Sequence, residues 1–181
     1  MRLGISGGPG IGKTTLATSL TNVFDLPLIP EGVEEWLRKH NRTSPHTLST
    51  MEQNELQSYC FEFKILNESL IPRFVSDRTV IDGIVTCDLR IPKEHRTDKL
   101  VNLISKAHLH ARTAYDLIII LEFGYYGDEH PLRAKDIDIR VKEHSLILEY
   151  VKTNPIKHLL LKIEESRDVK YLKSQVLSAF E

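Results

Sequence analysis

The chain has little cysteine, little net charge and no long apolar run, and each scarcity removes a class of protein. Its two cysteines, Cys60 and Cys87, stand far apart without C-x-x-C spacing. That excludes a disulfide scaffold or a cysteine zinc site and predicts reduced core thiols in a cytoplasmic protein. Lys and Arg number 24 against 25 Asp and Glu, a formal net charge of -1. Such balance offers no broad electrostatic footprint for nucleic acid. The longest purely apolar run, Leu117 to Leu121, is far too short to span a membrane. A first strand expected from residue 2 leaves no room for a cleavable leader. At 181 residues the composition is that of an ordinary globular protein, and one domain over 1–181 is expected.

What is present is concentrated at the N-terminus. Gly7-Gly8-Pro9-Gly10-Ile11-Gly12-Lys13-Thr14 matches G-x-x-x-x-G-K-[ST]. Arg2 to Ser6 before it reads as a short buried strand, and Thr15 to Leu20 after it as the opening of a helix. In that context the glycines let consecutive amides turn inward at the positive end of a helix dipole. Gly8, Gly10, Ile11, Gly12, Lys13, Thr14 and Thr15 are the candidate phosphate-binding residues. Lys13 reaches the β- and γ-phosphates, and Thr14 is a candidate Mg²⁺ ligand.

Strands and helices alternate along the rest of the chain. Pro27 to Pro30 reads as a second strand followed by Glu31, and Val33 to His40 as a helix. A long helix is expected over Thr50 to Leu70 with Leu56, Cys60, Phe63, Leu66 and Leu70 inward. Arg73 to Asp77 forms a third strand and Thr79 to Cys87 a short helix. A helix capped by Asp98 runs to about Tyr115, ahead of a central parallel strand from Asp116 to Leu121. A lid is expected at about 124–141, then a helix to Lys152, a fifth strand over Ile156 to Glu164 and a last helix over Asp168 to Phe180. The pattern predicts an α/β fold, a parallel sheet with helices on both faces. Neither an N-K-x-D nor a D-x-x-G motif follows Thr14, which argues against a signalling GTPase. A complete AAA+ or helicase module needs more chain than this.

Three stretches carry a resemblance. Glu31-Gly32-Val33-Glu34-Glu35-Trp36 resembles the E-P-V-x-x-W element of deoxyribonucleoside kinases, with Gly32 in place of its proline. Ser76-Asp77-Arg78-Thr79 resembles the D-R-S element of nucleoside kinases and the D-R-Y/F element of thymidylate kinases. Ile5 to Thr15, Ser76 to Asp82 and the run Arg133, Asp136, Arg140 resemble the nicotinamide riboside kinase-like group of small P-loop ATPases.

The resemblance implies a three-layer P-loop fold with a five-stranded parallel sheet in the order 2-3-1-4-5 and a helical lid. It implies an ATP- and Mg²⁺-dependent kinase that phosphorylates a hydroxyl of a nucleoside, nucleotide or similar small acceptor. Glu31 is the candidate general base, with Glu34 or Asp77 as alternatives, and Asp77 also a candidate Mg²⁺ group. Arg78, Arg133 and Arg140 are the candidate charge-bridging residues, and Arg133 and Arg140 are spaced to share one helix face. Trp36 and Gln57 are expected at the acceptor, and Arg167 beside the adenine. Two other readings stay open: a kinase acting on a hydroxyl within nucleic acid, and a regulatory ATPase without a small acceptor. No membrane partner is expected, and a homodimer is left open.

Overall fold

Side chains that alternate between two hydrophobic layers set the sheet. The structure, a computed structural model, describes residues 1–123 and 137–181. Strand β1 (Arg2–Ser6) lies at the centre, between β3 (Phe74–Asp77) and β4 (Leu117–Leu121). Strands β2 (Leu28–Ile29) and β5 (His158–Leu161) form the edges, giving the order β2-β3-β1-β4-β5 with every pairing parallel. The register sets Ile5 beside Asp77 on one side and Ile119 on the other, so the strands end together.

Helices cover both faces. Against one face, Leu16, Ala17 and Leu20 of α1 (Lys13–Phe24) and Leu172 and Val176 of α8 (Val169–Ser178) pack on Leu3, Ile5, Val75 and Ile119. The other face, through Phe74, Ile118 and Ile120, meets α3 (Thr50–Leu70), α4 (Val80–Arg90), α5 (Asp98–Ala111) and α6 (Ile137–Thr153). Shorter helices α2 (Val33–Lys39) and α7 (Ile163–Arg167) follow β2 and β5. Strand spacing of period two places these residues on opposite layers, and burying both sides makes β4 uniformly apolar.

The expected sheet order is therefore observed, with three local departures. The fifth strand stops at Leu161, because the chain turns into α7, where Glu165 accepts the Lys162 amide at 2.8 Å and Glu164 joins it in the first turn. Helix α5 ends at Ala111, and Tyr115 instead packs edge-on against Phe74. The buried line of α3 is not the leucine stripe. Leu66 and Leu70 are 59% and 71% exposed, while Gln57, Phe61, Lys64 and Glu68 are buried. That polar line faces the strand ends, where partners exist for it.

Candidate active site

The loop between β1 and α1 opens at the C-terminal edge of the sheet, where α/β proteins place their ligands. Gly12 caps α1 with φ of 92°, a left-handed conformation that glycine adopts without a Cβ penalty. Pro9, Gly10, Gly12, Lys13, Thr14 and Thr15 line one wall of a cavity of about 360 Å³. Lys13 is buried, and its Nζ donates to the carbonyls of Gly7 and Gly8 at 2.6 and 2.7 Å. Burial, then repulsion from Arg78, lower its pKa to about 8, although Asp82, Glu143 and Glu31 pull it upward.

Asp82 fixes the root of this loop. It closes the capping box of α4 with Thr79, accepts from the Ser6 hydroxyl, and takes the Gly7 amide at 3.3 Å. One carboxylate thus ties the start of α4 to the end of β1, and it also lines the cavity.

The opposite wall comes from β2, α3 and the β3–α4 junction. Glu31 and Arg78 meet there, with Arg78 Nε 2.9 Å from Glu31 Oε1. Arg78 has φ of 60°, a left-handed conformation that residues with a side chain rarely adopt, and it lines the cavity. Removal from bulk water raises the Glu31 pKa against the opposing pull of Arg78 and Lys13. A carboxylate whose pKa is raised from its ordinary value holds an abstracted proton more readily.

Helix α6 backs the phosphate loop and Arg78 with three residues at helical spacing, none of which lines the cavity. Arg140 Nε donates to the Pro9 carbonyl at 3.0 Å, while its buried NH2 has no hydrogen-bond partner among the described residues. Glu143, fully buried, lies 3.7 Å from Arg78 NH1 and 3.6 Å from Arg90 NH2. His144 Nδ1 accepts the Gly8 amide at 3.2 Å, which requires the neutral ring. Burial, then Lys13, lower the His144 pKa, while Asp82 opposes them. A Cβ on Gly8 would lie 2.9 Å from the Arg140 carbonyl, so α6 can approach only a glycine.

The structure thus brings Lys13, Thr14, Thr15, Gly10, Gly12, Glu31, Glu34, Gln57 and Arg78 to one cavity. It does not bring Gly8 and Ile11 there, because the Gly8 amide faces His144 and Ile11 is packed into the core. Trp36 is not among the lining residues either: it stacks on His40 with centroids 4.0 Å apart and packs with Leu37 and Leu56. Asp77 ends β3 on the Val75 side of the sheet and is not among the lining residues, whereas Asp82 is. Arg167 closes α7, which starts at Ile163 beside Gly12. Arg133 and Asp136 lie outside the described residues. The sequence reading passed over Asp82, Lys64, Arg90, Glu143 and His144 as site residues. Glu143 and His144 follow Arg140 at i+3 and i+4, a spacing that would have found them.

Both thiols are inert. Burial pushes the Cys87 thiol up to about 12 and Cys60 higher still. Among the described residues no three His, Cys, Asp or Glu are grouped to hold a metal ion. Mg²⁺ asks for less, since it binds through one or two side chains plus phosphates and water. The exposed Thr14 hydroxyl, facing the cavity with Asp82 and Glu31, fits that demand. No helix of the described residues is long and apolar enough to cross a membrane.

A family profile described as an AAA domain matches residues 2–167. The chain belongs to this family, AAA_28. The AAA_28 match spans one sheet with its helices, without an additional helical domain among the described residues. A search of curated proteins by sequence finds no match. Solved structures share the fold. Deoxyadenosine kinase from M. mycoides, with dCMP and dCDP bound, superposes with a TM-score of 0.70 at 15% identity over all of both chains. The NadR protein in complex with NAD and AMP-PNP gives 0.71 at 17% identity, covering 96% of this chain and 49% of that one. This chain therefore spans about half of NadR. Thymidylate kinase from Ehrlichia chaffeensis gives 0.61 at 15% identity over 99% and 97%. The AAA_28 chain has the P-loop fold of these kinases.

Proposed function

We propose that the protein is an ATP- and Mg²⁺-dependent kinase that phosphorylates a hydroxyl of a small nucleoside-like or nucleotide-like acceptor. The observation that carries this reading is one cavity shared by the phosphate loop and the Glu31–Arg78 pair. A simple ATPase needs the first wall but not the second. The fold's presence in proteins that bind dCMP, NAD and AMP-PNP supports an acceptor of this class.

When bound, MgATP supplies the phosphoryl group and neutralises part of its charge. Lys13 moves from the Gly7 and Gly8 carbonyls onto the β/γ-phosphates, and the amides of Gly12 to Thr15 hold them. Thr14, with water near Asp82, would hold the metal. Glu31 would take the proton of the acceptor hydroxyl on its carboxylate as that oxygen bonds to the γ-phosphorus and the bond from phosphorus to the bridging oxygen breaks, with ADP leaving. Arg78 orients Glu31 and faces the transferred group, while Arg140 steadies the loop through the Pro9 carbonyl. Gln57 contacts the acceptor from α3. Adenine rests beside Ile163 and the α7 segment ending at Arg167. Residues 1–181 act as one kinase domain, in a reducing cytoplasm that suits two protonated thiols.

The test is a panel of nucleosides, nucleotides and DNA incubated with γ-labelled ATP. Label transferred to a nucleoside or nucleotide is the expected result. ATP hydrolysis that no panel member changes would instead support a regulatory ATPase, the reading suggested by the AAA description.

A further inference from the structure

A buried ammonium lies directly behind the Glu31–Arg78 pair. Lys64, on α3, is 4% exposed and reaches past the cavity wall to the ends of two strands. Its Nζ donates to the carbonyls of Ile29 and Pro30 at 3.4 and 3.3 Å and of Asp77 at 3.0 Å, and to the Ser76 hydroxyl. Pro30 immediately precedes Glu31, and Asp77 immediately precedes Arg78. One side chain therefore grips the peptide unit leading into each member of the pair. Nothing in the sequence pattern required this, since β2 and β3 are joined only by Leu28 and Ile29.

We propose that Lys64 is a positioning residue that sets the Glu31–Arg78 geometry by tying the ends of β2 and β3 together. The left-handed Arg78 needs such a constraint, because that conformation is strained for a residue with a side chain and persists only when its surroundings over-determine it. The Lys64 bond to Asp77 O fixes one side of Arg78, and the Ser76 hydroxyl lies 3.1 Å from its carbonyl on the other.

Lys64 is itself anchored. Glu68, one turn further along α3, lies 3.6 Å from Nζ. Its other oxygen accepts from His110 Nε2 and from the Tyr115 hydroxyl, each at 2.8 Å. Tyr115 in turn accepts the Val80 amide at 3.2 Å, at the start of α4. The network thus runs from α5 and the turn before β4 through Glu68 and Lys64 to the residues that precede Glu31 and Arg78. Burial lowers the Lys64 pKa, with Glu68 and Asp77 opposing the shift. Burial also acts to raise the Glu68 pKa, but His110, Lys64, Ser76 and Tyr115 outweigh it and leave it below the ordinary value. Glu68 keeps three hydrogen-bond partners without Lys64, so the isosteric Lys64→Met variant should fold.

The inference rests on Glu31 as base, and the experiment separates the two. In the full-length protein, the Arg78 Nε–H resonance in wild type should disappear or shift in Lys64→Met while the Gly10 and Gly12 amides stay in place. With the fastest acceptor of the panel, Lys64→Met should lower kcat about a hundredfold while ATP affinity stays within about twofold. In a Glu31→Gln background the same change should cost less than about threefold more, because it acts through Glu31. Ser76→Ala, which keeps the ammonium but loosens the Arg78 side, should lower kcat in the same direction. An unchanged Arg78 resonance, multiplying losses in the double variant, or an equal fall in ATP affinity would each overturn the assignment. Absent transfer in wild type with the resonance change intact would overturn the kinase reading and leave Lys64 as the tie between the strands.

Discussion

ATP binding should take up a proton, and Lys13 is the reason. In the free protein its ammonium is enclosed by the loop and faces Arg78, so its pKa falls to about 8. A triphosphate places negative charge around Nζ and returns that pKa to at least the ordinary range. Protonated Lys13 is the binding form. Below pH 8 it is already present, and above pH 8 the proton must be recovered from solution. At pH 7 about nine-tenths of the free protein carries it, and at pH 9 roughly one-tenth does. ATP should therefore bind about tenfold more weakly at pH 9 than at pH 7, a difference of ~1.4 kcal/mol. Titration calorimetry at pH 8.5 in buffers of different ionisation heat should show uptake of about three-quarters of a proton per ATP. Lys13→Arg should remove both the uptake and the pH slope. A flat affinity across pH 7 to 9.5, or proton release, would refute the argument that enclosure depresses Lys13.

The other tests address single residues. Glu31→Gln should lower kcat by about 10²–10⁴ with ATP affinity retained, and the wild-type acid limb should lie above the ordinary glutamate range. Glu143→Gln leaves Arg78 and Arg90 facing each other without their shared carboxylate. Urea unfolding should then show a loss on the order of 3–5 kcal/mol, and an unchanged midpoint would remove Glu143 from the charge chain. The lowered His144 pKa means that the unfolded chain binds the extra proton first. Its contribution is complete above pH 6.5 and is lost as pH falls below that value, so His144→Gln should flatten part of the acid decline in urea midpoint.

The legible parts of this molecule are those fixed by local rules. Period-two and period-3.6 patterns placed the strands and most helices, and the loop motif located the triphosphate wall. Leu66 and Leu70 show where such rules stop. They read as a core stripe, yet α3 turns Gln57, Lys64 and Glu68 inward, because strand-end carbonyls and the cavity satisfy polar groups there. Trp36 lies off the cavity wall for a related reason. Its motif position was visible, but the room between α2 and α3 was not, and it filled that room.

By itself, then, the sequence determined a parallel P-loop sheet, the glycine-rich loop at its centre and the strand ends carrying Glu31 and Arg78. These depend on contiguous residues and near-neighbour periodicity. Only the tertiary structure decided which charges meet. Glu143 reaches Arg78 and Arg90, His144 reaches Gly8, and Lys64 joins two strands, all between residues distant in the chain. Long-range pairing of buried charge depends on how helices dock, and no local pattern records it.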